Sequence, residues 1–180
     1  MLYTCKGDKG KTEIFGLLRH KASCDQKLSK SSAVAEALGV LDEANSFLGI
    51  VKNKAKNKKI IQQIQENLFI IQAEVAGADK KIAKDKILEI EKIIDQIEKE
   101  LSPIKIFLIS GTTELSAQLD FSRTLIRRAE RRVVEVEEEG LIKISADTLV
   151  YLNRLSSLLY ALARQLARKS GIKESAPNYK

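Results

Sequence analysis

Tryptophan is absent from this sequence, histidine occurs once, and there are only two cysteines and two prolines. His20, Cys5 and Cys24 together do not make up a usual zinc set, and neither cysteine belongs to a CxxC pair. The cysteines therefore read as free thiols of a reducing compartment, not as a disulfide framework. Scarce proline and only 9 glycines leave room for long uninterrupted helices. No apolar run approaches the roughly 18 residues that would suggest a membrane-spanning helix. The opening Met1-Leu2-Tyr3-Thr4 lacks the charged-then-apolar pattern of a signal peptide. These absences point to a soluble, cytoplasmic protein.

What is present fits one domain. The chain has 180 residues, 44% of them apolar and 31% charged, enough for a real core under a heavily charged surface. The formal net charge of +7 suits a polyanionic partner. Nucleic acid, a nucleoside triphosphate and a membrane surface all qualify, and charge alone does not choose among them.

Helical periodicity accounts for most of the chain, in four or five helices. Val34, Leu38, Leu41 and Leu48 predict a helix over 31–52. A second runs over 58–78 on Ile60, Ile64, Leu68, Ile71 and Val75. The third, over 84–101 on Ile87, Ile90, Ile94 and Ile97, is charged on its other faces and should cover the outside. The fourth spans 112–139 on Leu115, Leu119, Ile126, Ala129, Val133 and Val136, and Gly140 ends it. The fifth spans 145–169 on a leucine stripe from Leu149 to Leu166, with Ser145 as N-cap and Gly171 at the end. Long helices on short loops read as an antiparallel bundle. The whole of 1–180 is one domain: a loop-like segment over 1–30, the bundle over 31–170, and a frayed tail over 171–180.

Several places could carry chemistry. Thr4-Cys5-Lys6-Gly7-Asp8-Lys9-Gly10-Lys11-Thr12 has two glycines to turn the backbone, two threonine hydroxyls and three lysines. That suits phosphate, though a flexible basic arm would look the same. It is not a Walker A motif, because Cys5 stands where that motif needs its first glycine. Arg123, Arg127, Arg128, Arg131 and Arg132 cluster in the fourth helix with Glu130. At 100° per residue, Arg123, Arg127 and Glu130 share one flank of the apolar stripe, whereas Arg128 and Arg132 point elsewhere. A half-buried guanidinium suits a carboxylate or phosphate, and a solvated face laced with ion pairs is the plainer alternative. In the first helix Asn45 falls inside the apolar stripe, and Asp42 lies on its flank near Gly39, Ser46 and Gly49. A desolvated aspartate there would want an arginine. Asn153 stands away from the leucine stripe of the fifth helix, near Ser156 and Tyr160. His20 is assigned no role.

These segments together resemble the PduO-type ATP:cob(I)alamin adenosyltransferases. The likeness runs through Tyr3-Thr4, Gly7-Asp8, Gly10 and Thr12, then Glu36–Gly39 and Leu41–Ser46. It continues through Ser122-Arg123-Thr124 and Arg127–Arg131, and closes with Tyr151–Ser156. It implies a five-helix bundle, ferritin-like in style, that forms a homotrimer with active sites between subunits. It implies that Thr4, Cys5, Lys6, Gly7, Asp8, Gly10, Thr12 and Lys30 fold over the triphosphate of ATP. Arg127, Arg128, Glu130, Arg131 and Asn153 match positions that hold ATP and its divalent cation, with Glu130 toward Mg2+. Asp42 and Arg123 match a salt bridge on the cobalamin side. Phe107 matches an aromatic that occupies the lower face of the corrin. Where the family often has Leu-Pro-Gly-Gly after that phenylalanine, this chain has Leu108-Ile109-Ser110-Gly111.

The implied reaction is transfer of the 5′-deoxyadenosyl group of ATP to cob(I)alamin, giving adenosylcobalamin and triphosphate. Arg127, Asp42, Arg123 and Phe107 would serve catalysis by positioning and charge stabilisation, since cobalt is the nucleophile. ATP and cobalamin are then the substrates. A corrinoid reductase and an adenosylcobalamin-dependent enzyme are further partners, and nucleic acid and membrane are not. A helical nucleic-acid binder and a helical scaffold are the rivals. Glu130, Glu135, Glu137, Glu138 and Glu139 weigh against the first, because they would repel a phosphate backbone.

Overall fold

The computed structural model of the protein describes residues 5, 7–14, 27–103, 105–140 and 142–179. Five α-helices dominate the described residues: α1 Ala33–Lys54, α2 Lys58–Val75, α3 Lys84–Glu100, α4 Glu114–Glu138 and α5 Ala146–Lys169. Short polar side chains start three of them by capping orphan backbone N–H groups. The Ser32 hydroxyl accepts from the Ala35 N–H at 3.3 Å. Ser145 accepts from the Thr148 N–H at 3.4 Å. Thr113 and Ser116 cap each other reciprocally at the start of α4. Gly140 and Gly171 adopt φ of 65° and 72° just past α4 and α5, a conformation that residues with a Cβ rarely take. The expected all-helical bundle is therefore what forms. Helix α2 stops at Val75 instead of Ala78, because the chain turns through Gly77 at φ 82°.

Helix α1 packs on α2 and α4, α4 packs on α5, and α5 packs on α3. The periodic residues fill the space between them. Leu41, Leu48, Leu68, Ile71, Ile126, Leu152, Leu155 and Leu159 are completely buried. Helix α3 buries only Ile87, Ile90 and Ile97 and covers the outside, as its charged faces predict. One small departure from all-α is a two-residue strand β1 (Lys11–Thr12) paired antiparallel with β2 (Leu28–Ser29). Ile14, which is buried, and half-buried Leu28 pin this hairpin to the bundle core.

Two buried polar contacts tie α2 to α5. The Asn67 side-chain amide donates to the Tyr151 hydroxyl at 2.9 Å. The Glu74 carboxylate, buried in α2, accepts from the Ser145 N–H at 2.7 Å and from the Thr148 hydroxyl at 2.5 Å. An anion there meets the positive end of the α5 dipole as well as an orphan N–H. Asn45 is buried in the apolar stripe as expected, and its Oδ1 lacks a hydrogen-bond partner among the described residues.

Two measurements test this frame. Glu74→Ala would leave the half-buried Ser145 N–H without its acceptor and the buried Thr148 hydroxyl with Ser145 Oγ alone. We expect a loss of about 1–3 kcal/mol in urea unfolding with an unchanged slope, and no loss would remove the clamp. Burial pushes the Tyr151 hydroxyl up to about 12, against the smaller opposing effect of the Asn67 bond. A folded-state value above that of the unfolded chain contributes stability fully present below about pH 10 and lost as pH rises toward 12. Tyr151→Phe should therefore flatten the alkaline fall in stability, and an unchanged profile would contradict this.

Candidate functional site

The basic segment near the N-terminus forms a compact turn. The Asp8 N–H donates to the Cys5 carbonyl at 3.5 Å, and Gly10 N–H donates to the Gly7 carbonyl at 3.2 Å. Cys5 takes a left-handed φ of 57°, uncommon for a residue with a side chain. The chain returns alongside, and the Lys30 N–H donates to the Gly10 carbonyl at 2.9 Å. The Lys30 ammonium lies over Gly7 so closely that a Cβ there would sit 3.1 Å from Nζ. Lys30 is thus delivered to the turn formed by Cys5, Gly7, Asp8 and Gly10, close enough that a Cβ at Gly7 would make the lysine side chain shift by a few tenths of an ångström, with Thr12 following in β1. Thr4 and Lys6 lie outside the described residues, as do His20 and Cys24.

A second set lines the seam between α4 and α5. The Asn153 amide donates to the Glu130 carboxylate at 3.0 Å. Arg154 donates to the Asn153 side-chain oxygen Oδ1 at 3.2 Å and to Glu91 at 2.8 Å. Seven residues back along α4 and seven forward along α5, the Arg123 guanidinium lies 5.8 Å from the centre of the Tyr160 ring. A seven-residue step is about 10 Å of helix, so the two polar stations sit about two turns apart on one seam. Arg123 also pairs with Asp120 at 3.9 Å. Burial raises the Asp120 carboxyl above its ordinary range, with Arg123 and the Gly111 N–H pulling the other way.

The remaining arginines divide as the helical arithmetic predicts, with one exception. Arg128 pairs with Glu43 of α1, and Arg132 pairs with Glu36 of α1 at 3.8 Å and with Glu135 at 2.7 Å. Arg127 was expected to share the flank of Arg123 and Glu130, but its side chain is exposed. Its carbonyl accepts from Arg131, also exposed, at 3.0 Å. Asp42 is exposed beside Gly39 and Ser46 and makes no ion pair among the described residues. The single chain therefore pairs Arg123 with Asp120 and not with Asp42. Nearby Phe47 and Phe121 meet edge to face at 4.9 Å, and Phe121 and Ile50 remain about half exposed.

Phe107 stands on the loop between α3 and α4 and is 81% exposed. The segment after α5 has no regular structure, yet it is held to this loop. The Ile109 N–H donates to the Ser175 carbonyl at 2.8 Å, and Arg164 pairs with Glu174 at 3.4 Å. Sequence reasoning did not find Asp120, Tyr160's contact with Arg123, or Glu174, because none falls in a motif and each partner is distant in sequence or unremarkable beside it.

Comparison with known proteins gives this geometry a family. The sequence profile described as "Cobalamin adenosyltransferase" matches residues 2–166. The chain is 36% identical over 173 residues to the corrinoid adenosyltransferase PduO of Citrobacter freundii, covering 91% of this chain and 49% of that protein. It thus spans about half the length of that relative. A corrinoid adenosyltransferase of Bacillus subtilis is 31% identical over 182 residues, covering 95% of this chain and 89% of its own. Among solved structures, a variant of the PduO-type ATP:corrinoid adenosyltransferase from Lactobacillus reuteri, complexed with cobalamin and ATP, superposes with a TM-score of 0.88. It is 28% identical, and the match covers 99% of this chain and 97% of that one. On the profile match and these relatives, the chain belongs to the cobalamin adenosyltransferase family.

Proposed function

We propose that the protein transfers the 5′-deoxyadenosyl group of ATP to the cobalt of cob(I)alamin, releasing triphosphate and giving adenosylcobalamin. The observation that carries this reading is the likeness, over 99% of the chain, to a protein complexed with both ATP and cobalamin. Cobalt(I) supplies the electron pair that attacks C5′ of ATP. The cobalt–carbon bond forms as the C5′–oxygen bond breaks, and the pair leaves on the triphosphate. The protein then needs no nucleophile or general base of its own. Its work is positioning and charge stabilisation.

In this reading the turn of Cys5, Gly7, Asp8, Gly10 and Thr12 takes the triphosphate with Lys30, and Thr4 and Lys6, next to it in sequence, are assigned to the same task. Arg127, Arg128, Arg131 and Asn153 complete the ATP side. Arg127 is exposed, and Arg131, also exposed, would give up only its bond to the Arg127 carbonyl to turn toward a polyanion. Arg128 would have to leave Glu43, and an exposed pair of this kind holds weakly. Glu130 suits a magnesium ion carried by the nucleotide, since magnesium uses one or two carboxylates together with phosphates and water. Bound there, the ion would neutralise charge that grows on the departing triphosphate.

Asp42, Arg123 and Phe107 form the cobalamin side. Asp42 and Arg123 are not paired within one chain, so we assign their salt bridge to the contact between two copies of a homotrimer, with a site at each interface. The half-exposed Phe121 and Ile50 support an apolar contact in that region. Phe107, exposed on its loop, would cover the lower face of the corrin and keep an axial base off cobalt, which eases reduction to cobalt(I). A corrinoid reductase then lies upstream and an adenosylcobalamin-dependent enzyme downstream, in the cytoplasm where ATP is at hand.

The direct test mixes the protein with ATP, Mg2+ and chemically reduced cob(I)alamin under anaerobic conditions. The cob(I)alamin band should decay as a light-sensitive alkylcobalamin spectrum grows. No change with ATP binding intact would contradict the corrinoid half of the proposal. Arg127→Ala should lower kcat by about 10²–10³, the range for one charge-stabilising donor, at unchanged melting temperature. Phe107→Ala should still bind cobalamin but lose the four-coordinate cob(II)alamin spectrum, and retention of that spectrum would remove the role given to Phe107.

A further inference from the structure

The corrin end of the α4–α5 seam holds a charged cluster that the reaction as described does not use. Asp120 is one turn before Arg123 in α4 and is 9% exposed. Its Oδ1 and the Arg123 Nε are both buried without a hydrogen-bond partner among the described residues. They are also the two atoms that face each other at 3.9 Å. Complementary buried groups left unpaired are costly, so this pair is set to close by a shift of about 1 Å. Gly111, on the loop that carries Phe107, bears on the same carboxylate, and its N–H favours the ionised form. Loop residues Leu108 and Ser110 pack over it with Tyr160 and Arg164 around a cavity of about 10 Å³, room for one water at most.

A guanidinium offers five N–H donors in a planar fork. Asp120 occupies the Nε edge of Arg123, and Tyr160 covers one face. The two-nitrogen outer edge stays open for another carboxylate. We propose that Asp120 is a positioning residue for the corrin side of the site: it orients Arg123 through Nε and couples it, through Gly111, to the Phe107 loop. This rests on the assignment of Arg123 to the cobalamin side. Movement of the loop and direction of the Arg123 fork are then linked, because the loop packs around the carboxylate that faces Arg123.

Asp120→Asn keeps the shape but removes the charge that aims Arg123. The raised carboxyl of Asp120 means that its ionised form lowers stability as pH rises above the ordinary carboxylate range, so Asn should melt no lower at neutral pH. Steady-state KM for cob(I)alamin and for ATP would be measured in wild type, D120N, R123Q and the double variant, with D120E as the charge-retaining control. We expect D120N to raise the cob(I)alamin KM roughly tenfold with the ATP KM little changed, and the double variant to be no worse than R123Q alone. D120E should recover part of the loss. If R123Q weakens cob(I)alamin binding and D120N does not, or if the two effects simply add, the positioning role is wrong. A lower melting temperature in D120N with both KM values rising alike would mark a merely structural residue and overturn the proposal. If R123Q itself leaves the cob(I)alamin KM unmoved, the assignment of Arg123 fails first and Asp120 falls with it.

Discussion

Where α4 and α5 lie antiparallel, a seven-residue step along one helix is matched by a seven-residue step back along the other. Polar side chains on that seam consequently face each other at fixed intervals. Glu130 meets Asn153, and two turns on Arg123 meets Tyr160. Next come Asp120, Arg164 and Glu174 beneath the loop of Phe107. The seam can be this regular because both helices are long and uninterrupted and because each is fixed at its start. Ser145 caps α5 while Glu74 of α2 clamps the same turn from the core, and Thr113 with Ser116 caps α4. In the proposed reaction a nucleotide and a flat macrocycle must be held end to end, and one rigid seam with two stations gives them a common axis.

The charges divide into two kinds that serve different ends. Glu74 is buried and saturated, and it holds the frame. Arg128 is held by an exposed ion pair and Arg131 by one exposed bond to the Arg127 carbonyl, and Arg127 is exposed, so these guanidiniums remain exchangeable. A triphosphate could displace Glu43 from Arg128 without disturbing the core. Lys30 is intermediate: its ammonium is exposed, but its backbone is fixed to Gly10 and its stem lies against Gly7. Preorganisation of that sort is what an electrostatic site needs if it is to stabilise charge without rearranging.

Much of this was legible in the sequence, and the rest has a physical reason for staying hidden. The helices emerged because apolar residues recur with the helical period, and the separation of Arg128 and Arg132 from Arg123 and Glu130 followed from 100° per residue. Arg127 did not follow, because a side chain at the edge of a stripe can lie against the neighbour or swing into water. Glu74 gave no sign of burial: its partners Ser145 and Thr148 are more than seventy residues away, and no local pattern records such a pairing. Gly7 read as part of a tight turn suited to phosphate, but its contact with Lys30 stayed hidden because the two are twenty-three positions apart. The resemblance matched Asp42 with Arg123, but within one chain Arg123 pairs with Asp120, three residues before it on the same helix, and Asp42 stays exposed.

The most direct test of the seam is to cut it at each station separately. Asn153→Ala and Tyr160→Leu would be compared by titrating each purified variant with ATP and, independently, with cob(II)alamin. The account predicts that the first weakens ATP binding and spares the corrinoid, and that the second does the reverse. Equal weakening of both ligands by either substitution would mean that the two stations are not separate sites on one axis, and would contradict the account.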